Sequence, residues 1–117
     1  MTTKANASDV LLKKSASGGY YIEENSNELG EKAFAANSWC TASGMYSHAE
    51  GESTASGDDS HAEGYGTASG VGSHAEGVST ASGDSSHAEG YGIASGDSSH
   101  AEGNTTKAQG NYSHAEG

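Results

Sequence analysis

The sequence predicts an all-β protein in which most of the chain winds into a parallel β-solenoid with coils of about 13 residues. The first observation is the pentapeptide SHAEG, which begins at Ser47, Ser60, Ser73, Ser86, Ser99 and Ser113. Successive copies are therefore 13, 13, 13, 13 and 14 residues apart. The second is the tripeptide ASG, which recurs in phase with it, and the third is a composition of 18 glycines and no proline. A period this short is too short for a pair of helices, so each repeat is expected to form one coil.

Each repeat reads SHAEG-x-x-T-ASG-x-x and predicts two short strands separated by bends at glycine. The His and Glu of SHAEG are two residues apart, so they share one strand face while Ser, Ala and Gly share the other. Stacked coils place equivalent residues in columns about 4.8 Å apart. Two predicted columns are Thr41, Thr54, Thr67, Thr80 and Ile93, and Glu52, Tyr65, Val78, Tyr91 and Asn104. The missing prolines agree with coils that donate backbone hydrogen bonds to their neighbours.

The chain divides at residue 34 into an N-terminal capping or junction segment, partly irregular (1–33), and the repeat domain (34–117). The stretch FAANSWCTASGMY, residues 34–46, is a degenerate copy of the repeat. From Ser47 onward there is no Leu, Phe or Trp, so a conventional two-layer core is excluded there. Small residues bury little apolar area against an ordering cost of about 1–2 kcal/mol per residue, which predicts an oligomer. Low hydrophobicity and high charge leave disorder as the alternative.

The charge of the chain excludes several partners. Residues 47–117 contain eleven acids and one lysine, and the whole chain has a net charge of −11. Such a surface repels nucleic acid and anionic membranes, so no nucleic-acid partner is expected. The apolar run Val10–Leu12 is too short for a signal peptide or a membrane span, so we expect no membrane insertion and no export signal. The single Cys40 excludes a disulfide framework and a multi-cysteine metal site.

The paired S-x-A-x-G and A-x-G motifs of residues 34–117 resemble the head repeats of trimeric autotransporter adhesins, whose unit is similar to S-V-A-I-G. The SHAEG variant also resembles repeats of phage tail-fibre and related phage-derived proteins. The resemblance implies a left-handed parallel β-roll assembled as a parallel homotrimer. It further implies a structural fibre or adhesin segment, extracellular or virion-associated, that attaches to a host or cell-surface receptor. The missing signal peptide and membrane anchor favour the phage-fibre version.

The same resemblance places His at the Val position and Glu at the Ile position of the unit, both of which face inward in the family. It therefore implies an interior ladder made of His48, Glu50, His61, Glu63, His74, Glu76, His87, Glu89, His100, Glu102, His114 and Glu116. The residues themselves leave the outward register open, with Ser, Ala and Gly as a thin core. Solvation favours that register, because burying a charge costs several kcal/mol unless it is paired.

The repeated His-x-Glu places an imidazole and a carboxylate on one strand face, and both are ligands for zinc or iron. Evenly distributed pairs indicate a structural ladder, whereas a metal centre is one cluster. We therefore predict no metal site and no cofactor beyond weak binding of divalent cations. The serine before each His lies on the opposite face, which disfavours a Ser–His nucleophile, so no enzyme is predicted.

Two surface features point to contacts or to other functions. Tyr65, Tyr91 and Tyr112 either form an exposed contact stripe or pack between subunits. The Thr-x-Ser array at Thr54, Thr67 and Thr80 is similar to ice-binding solenoids, although such a column is also an ordinary hydrogen-bonding one. Gly-Asp dipeptides resemble those of calcium-dependent secreted β-rolls, but the glycine-rich nonapeptide of those proteins is absent.

Overall fold

The computed structural model describes residues 12–22, 29–36 and 39–117. Within these ranges the chain forms fifteen short strands and no helix. The strands are β1 (Leu12–Lys14), β2 (Tyr20–Ile22), β3 (Phe34–Ala35), β4 (Thr41–Ala42), β5 (His48–Ala49), β6 (Thr54–Ala55), β7 (His61–Ala62), β8 (Thr67–Ala68), β9 (His74–Gly77), β10 (Thr80–Ala81), β11 (His87–Gly90), β12 (Ile93–Ala94), β13 (His100–Glu102), β14 (Lys107–Ala108) and β15 (His114–Glu116).

The strands form two sheets that face each other across each coil. One sheet has the order β1-β2-β3-β5-β7-β9-β11-β13-β15 and the other β4-β6-β8-β10-β12-β14. From β2 onward all pairings are parallel, and they join equivalent residues of successive repeats, such as His61 with His74 and Thr67 with Thr80. The predicted parallel β-solenoid with coils of about 13 residues is therefore confirmed, and so is the predicted threonine column.

The interior of the coil consists almost entirely of alanine. The second residue of each strand from β3 to β13 is an alanine that points inward, and these alanines, from Ala35 to Ala101, have no solvent exposure. Buried serines fill the remaining space, and the Ser47 and Ser60 hydroxyls donate to the carbonyls of Gly44 and Gly57 at 2.7 and 2.6 Å. The space inside each coil is therefore narrow, and its width is that of two alanine methyl groups and one serine hydroxyl.

Both corners of the coil use left-handed backbone conformations. At the corner after SHAE, Gly51, Gly64, Gly77, Gly90 and Gly103 have φ between 71° and 106°. At the opposite corner, the left-handed residues are Lys32, Tyr46, Asp59, Gly72, Ser85, Ser98 and Tyr112. The single extra residue of the last repeat lies at the first corner, where Thr105 takes φ of 61°, so the register of β14 on β12 is kept.

A column of glycines brings successive coils into backbone contact. A Cβ added to Gly44, Gly57, Gly70 or Gly83 would lie 2.0–2.1 Å from the carbonyl oxygen of the glycine in the next coil. No side chain fits at that distance, which explains why ASG ends in glycine in coil after coil.

The N-terminal segment extends the larger sheet. β2 pairs parallel with β3, and β1 pairs antiparallel with β2. Gly30 stacks on Gly44 as the later glycines stack on one another, so the winding extends upstream of the predicted boundary at residue 34. Residues 1–11 and 23–28 of the predicted capping segment lie outside the described residues, and its role as a cap stays a prediction. In the part of the chain that the structure describes, there is no helix long and apolar enough to cross a membrane.

The glycine column yields a direct test by substitution. Gly70→Ala should lower the free energy of unfolding by on the order of 3 kcal/mol, because the new Cβ forces adjacent coils apart. Gly72→Ser is the matched control, since Ser85 and Ser98 already occupy that corner position in later coils. Thermal melts followed by far-UV circular dichroism compare the two variants. Equal melting temperatures for both would contradict the close approach at Gly70.

Candidate functional site

The most distinctive surface of the protein is the outer side of the larger sheet, which we call the His–Glu face. It consists of the His and Glu of every SHAEG copy, namely His48, Glu50, His61, Glu63, His74, Glu76, His87, Glu89, His100, Glu102, His114 and Glu116. The strands place these side chains outward because the alanine between each His and Glu points into the coil. The side chains of the first five pairs are about one-third to one-half exposed, and those of the last pair are more exposed.

The predicted interior ladder of His and Glu is not observed inside the coil; the chain adopts the outward register. The reason is steric as well as electrostatic. Between residues 39 and 117 the buried side chains are those of alanine, serine and Cys40, which leaves no room for an imidazole or a carboxylate, and these would also lose their hydration there. That the same face lies toward the interior of an assembly stays a prediction.

The six histidines form a continuous stack along the face. Neighbouring imidazole rings are separated by 4.5–4.9 Å between centroids and are tilted by only 3–12°. Phe34 occupies the equivalent position one coil earlier and contacts His48 edge-on at 5.1 Å. The ring spacing equals the rung spacing of a β-sheet, so the parallel register itself creates the stack.

Each imidazole also approaches the carboxylate of its own strand. The distance from His Nε2 to Glu Oε2 within a pair is 3.5–4.0 Å, which is longer than a hydrogen bond. The Nε2 atoms of His48, His61, His74, His87 and His100 are shielded from solvent and have no hydrogen-bond partner. The face therefore carries a row of nitrogen atoms whose bonding capacity is unused.

The stack disfavours protonation of its histidines. Burial lowers the pKa of His48, His74 and His87 below the ordinary value of 6.5, and the neighbouring imidazoles lower it further. Two stacked imidazolium rings would repel each other at this spacing. His48, His74 and His87 therefore favour the neutral form, in which imidazole nitrogens are able to bind a metal ion.

The glutamates form a parallel column in which Glu63 shares a proton with its neighbours. Hydrogen bonds with Glu76 and Glu50 raise the pKa of Glu63 to about 7, since they favour its protonated form. The hydrogen bond with Glu63 lowers the pKa of Glu76, which accepts that proton as a carboxylate. The carboxylates and the adjoining corner glycines line an open groove along the face. Like charges are thus brought together by the repeat and are relieved in part by protonation.

The remaining predicted site residues lie on other surfaces. Tyr65 and Tyr91 project from the corner after SHAE, where they are about 60% exposed and alternate with Val78. Tyr112 belongs to the opposite corner together with Tyr46, so the three predicted tyrosines do not form one stripe. Thr54, Thr67 and Thr80 lie half-buried on the outside of the smaller sheet, and the serine two residues after each is exposed.

The sequence pattern alone does not predict that Asp and Asn side chains link adjacent coils at one corner. Asp58 and Asp84 accept hydrogen bonds at 2.9 Å from the backbone N–H groups of Met45 and Val71, one coil earlier. Asp97 and Asn111 accept from the backbones of Asp84 and Asp97 in the same way. These side chains therefore bridge adjacent coils at the corner, and their signal is an Asp or Asn directly after the glycine of ASG or AQG. Their resemblance to residues of calcium β-rolls is explained by this role.

Cys40 has a structural position too. It is fully buried, and its thiol donates to the carbonyl of Ala49 at 3.3 Å. Ser53 and Ser79 make the corresponding bond to Ala62 and Ala88 at 2.9 Å. The thiol therefore replaces a serine hydroxyl in the wall of the coil.

Comparison of the chain with models of protein families, with curated proteins and with solved structures found no match. The His–Glu face therefore has to be interpreted from its own geometry.

The opposite pKa shifts on the His–Glu face predict how acid affects stability. Histidines with a lowered pKa bind protons more readily when unfolded, so their contribution to stability is lost as the pH falls below 6.5. Glu63, with its raised pKa, contributes stability that grows as the pH falls through about 7, and so opposes the histidines. Glu63→Gln removes this opposing contribution to stability. As the pH is lowered from about 8 to about 5, the melting temperature of the variant should therefore fall more steeply than that of the wild type.

Glu52→Gln is the control, because it removes the same charge at an exposed corner outside the His–Glu face. Its pH dependence should parallel that of the wild type in circular dichroism melts. If the melting temperatures of both variants depend on pH in the same way, the inference that Glu50, Glu63 and Glu76 share protons is wrong.

Proposed function

We propose that this chain is a segment of a structural fibre: a β-solenoid shaft or head, assembled as a parallel homotrimer, that belongs to a phage tail fibre or a cell-surface appendage and mediates attachment. The observation that supports this proposal best is uniformity. From His48 to His114 every coil presents the same histidine at the same position of the larger sheet, followed two residues later by the same glutamate, in strict register. A uniform rod suits a load-bearing or projecting element, whereas an enzyme concentrates distinct groups in one cleft.

The thin interior supports association between chains. Alanine and serine contribute little apolar burial, and several larger apolar side chains are left exposed. Tyr65, Val78 and Tyr91 form such a column along one corner, each 48–61% exposed. Packing this corner against a second copy supplies burial that the single coil lacks, so we assign the subunit interface to it. The number of three subunits rests on the resemblance of the S-x-A-x-G repeats to trimeric adhesin heads.

The assembly is tested by light scattering coupled to size-exclusion chromatography. The wild type should have three times the 11.7 kDa mass of one chain. The double variant Tyr65→Ser, Tyr91→Ser should shift towards the monomer, because it removes two exposed rings from the proposed interface. Tyr46→Ser is the matched control, since it removes an exposed ring at the opposite corner, where serine occurs naturally.

A wild type that stays monomeric at every concentration would contradict the homotrimer. A trimer that resists the double variant as well as the control would contradict this interface. Attachment is measured separately, as retention of fluorescently labelled protein on bacterial cells.

Ice binding is a second candidate, favoured by the outer side of the smaller sheet. There the threonines from Thr41 to Thr80 stack in register, and an exposed serine lies two residues after each. The result is a flat grid of hydroxyl groups at the rung spacing of the sheet. If it binds ice, the protein should show thermal hysteresis that Thr67→Lys abolishes without changing the circular dichroism spectrum. No hysteresis in the wild type would eliminate this candidate.

A further inference from the structure

We propose that the His–Glu face binds divalent transition-metal ions, with Zn²⁺ as the probe, at mixed nitrogen and oxygen sites made by side chains of adjacent coils. The sites are built within a single chain, so this proposal is independent of the trimer. It reinterprets the ladder, because the sequence pattern alone favoured a structural role for evenly spaced pairs.

The first argument is the grouping of donor atoms. On the described part of the chain, four groups of three side chains bring one donor atom from each residue within 4.8 Å of the others. The groups are His48, Glu50 and His61; Glu63, His74 and Glu76; His87, Glu89 and His100; and Glu102, His114 and Glu116. No residue is used twice, and all twelve side chains of the face are used. The repeat therefore offers up to four sites per chain.

The second argument is distance. Zinc bonds to imidazole nitrogen and carboxylate oxygen are about 2.0–2.2 Å long, so two ligands of a tetrahedral ion lie about 3.4 Å apart. The Nε2–Oε2 separations within the pairs are 3.5–4.0 Å. This spacing is too long for a hydrogen bond and close to that of two ligands sharing one ion. The third ligand comes from the adjacent coil, and its donor atom lies within 4.8 Å of the other two.

The third argument is the unused bonding capacity of the histidines. Five Nε2 atoms are shielded from water and have no hydrogen-bond partner. A shielded polar atom without a partner destabilises the fold, and such atoms in native proteins call for an explanation. A metal ion beside the carboxylate would satisfy the nitrogen lone pair. It would also place positive charge between the carboxylates of adjacent coils.

The donor set decides the class of metal. Imidazole nitrogen suits Zn²⁺, Cu²⁺ and Ni²⁺, whereas Ca²⁺ and Mg²⁺ take oxygen ligands almost exclusively. Calcium attracted only by the net charge of −11 would bind the acidic surface without regard to the histidines. Selectivity for zinc over calcium therefore separates a built site from general electrostatic attraction.

The experiment uses the full chain, stripped of metal by chelator, and titrates Zn²⁺ by isothermal calorimetry with Ca²⁺ as competitor. The wild type should bind more than one zinc ion per chain, and excess calcium should not displace it. His74→Phe keeps an aromatic ring at a position of the column that Phe34 fills one coil before His48, but removes the nitrogen ligand. It should weaken one site at least about tenfold. Glu76→Gln, which is nearly isosteric, should weaken the same site.

Asp84→Asn is the matched control, because it removes one negative charge away from the His–Glu face and keeps the oxygen that accepts from Val71. It should bind zinc like the wild type. The proposal is overturned if the wild type takes up no zinc at micromolar concentration, if calcium displaces zinc equally well, or if Asp84→Asn weakens binding as much as the ladder variants do. Circular dichroism verifies the fold of each variant, and Glu76→Gln decides the outcome if His74→Phe does not fold.

Discussion

The backbone contact between coils at the glycine column is the constraint on which the rest of the structure depends. At Gly44, Gly57, Gly70 and Gly83 there is no room for even one methyl group between a coil and the next. Glycine at these positions permits the ordinary rung spacing of a β-sheet, at which each coil donates its backbone hydrogen bonds to its neighbour, as His61 does to Ser73 at 2.9 Å. Because both strands of a coil are only a few residues long, the interior is narrow. Alanine and serine follow from this width.

The narrow interior explains the chemistry of the surface. Imidazoles and carboxylates are too large for the interior between residues 39 and 117, so they appear on the outer face in columns of identical groups. The parallel register then places identical side chains of adjacent coils next to each other, since every residue pairs with its own equivalent. The stacked histidines and the proton-sharing glutamates are both consequences of register. Neither column requires a sequence signal beyond the repeat itself.

Much of the fold could be predicted from the repeat, and the limits have physical causes. The columns of Thr41 to Thr80 and of His48 to His114 follow from a constant period and the missing prolines. Strand alternation separates His from Ala but does not say which side is inside; that depends on the width of the coil, which the buried alanines and serines show to be small. Tyr112 was grouped with Tyr65 by residue type, although the sequence YSHAEG at 46–51 and 112–117 places it with Tyr46. The aspartate bridges are tertiary contacts between coils. Their only signal in the sequence is an aspartate directly after the glycine of ASG.

A column of ionisable groups at rung spacing has three ways to avoid repulsion. Its members become neutral, share protons, or are bridged by a counter-ion. His48, His74 and His87 favour the neutral form, because burial and the neighbouring imidazoles lower their pKa values. Among the glutamates repulsion is reduced by sharing protons, as the raised pKa of Glu63 shows. In each His–Glu pair the imidazole nitrogen and the carboxylate oxygen remain a few ångströms apart and are not bonded to each other. A cation that binds both kinds of atom is therefore able to bridge them as a counter-ion. The same register that stiffens the rod thus arranges the donor atoms.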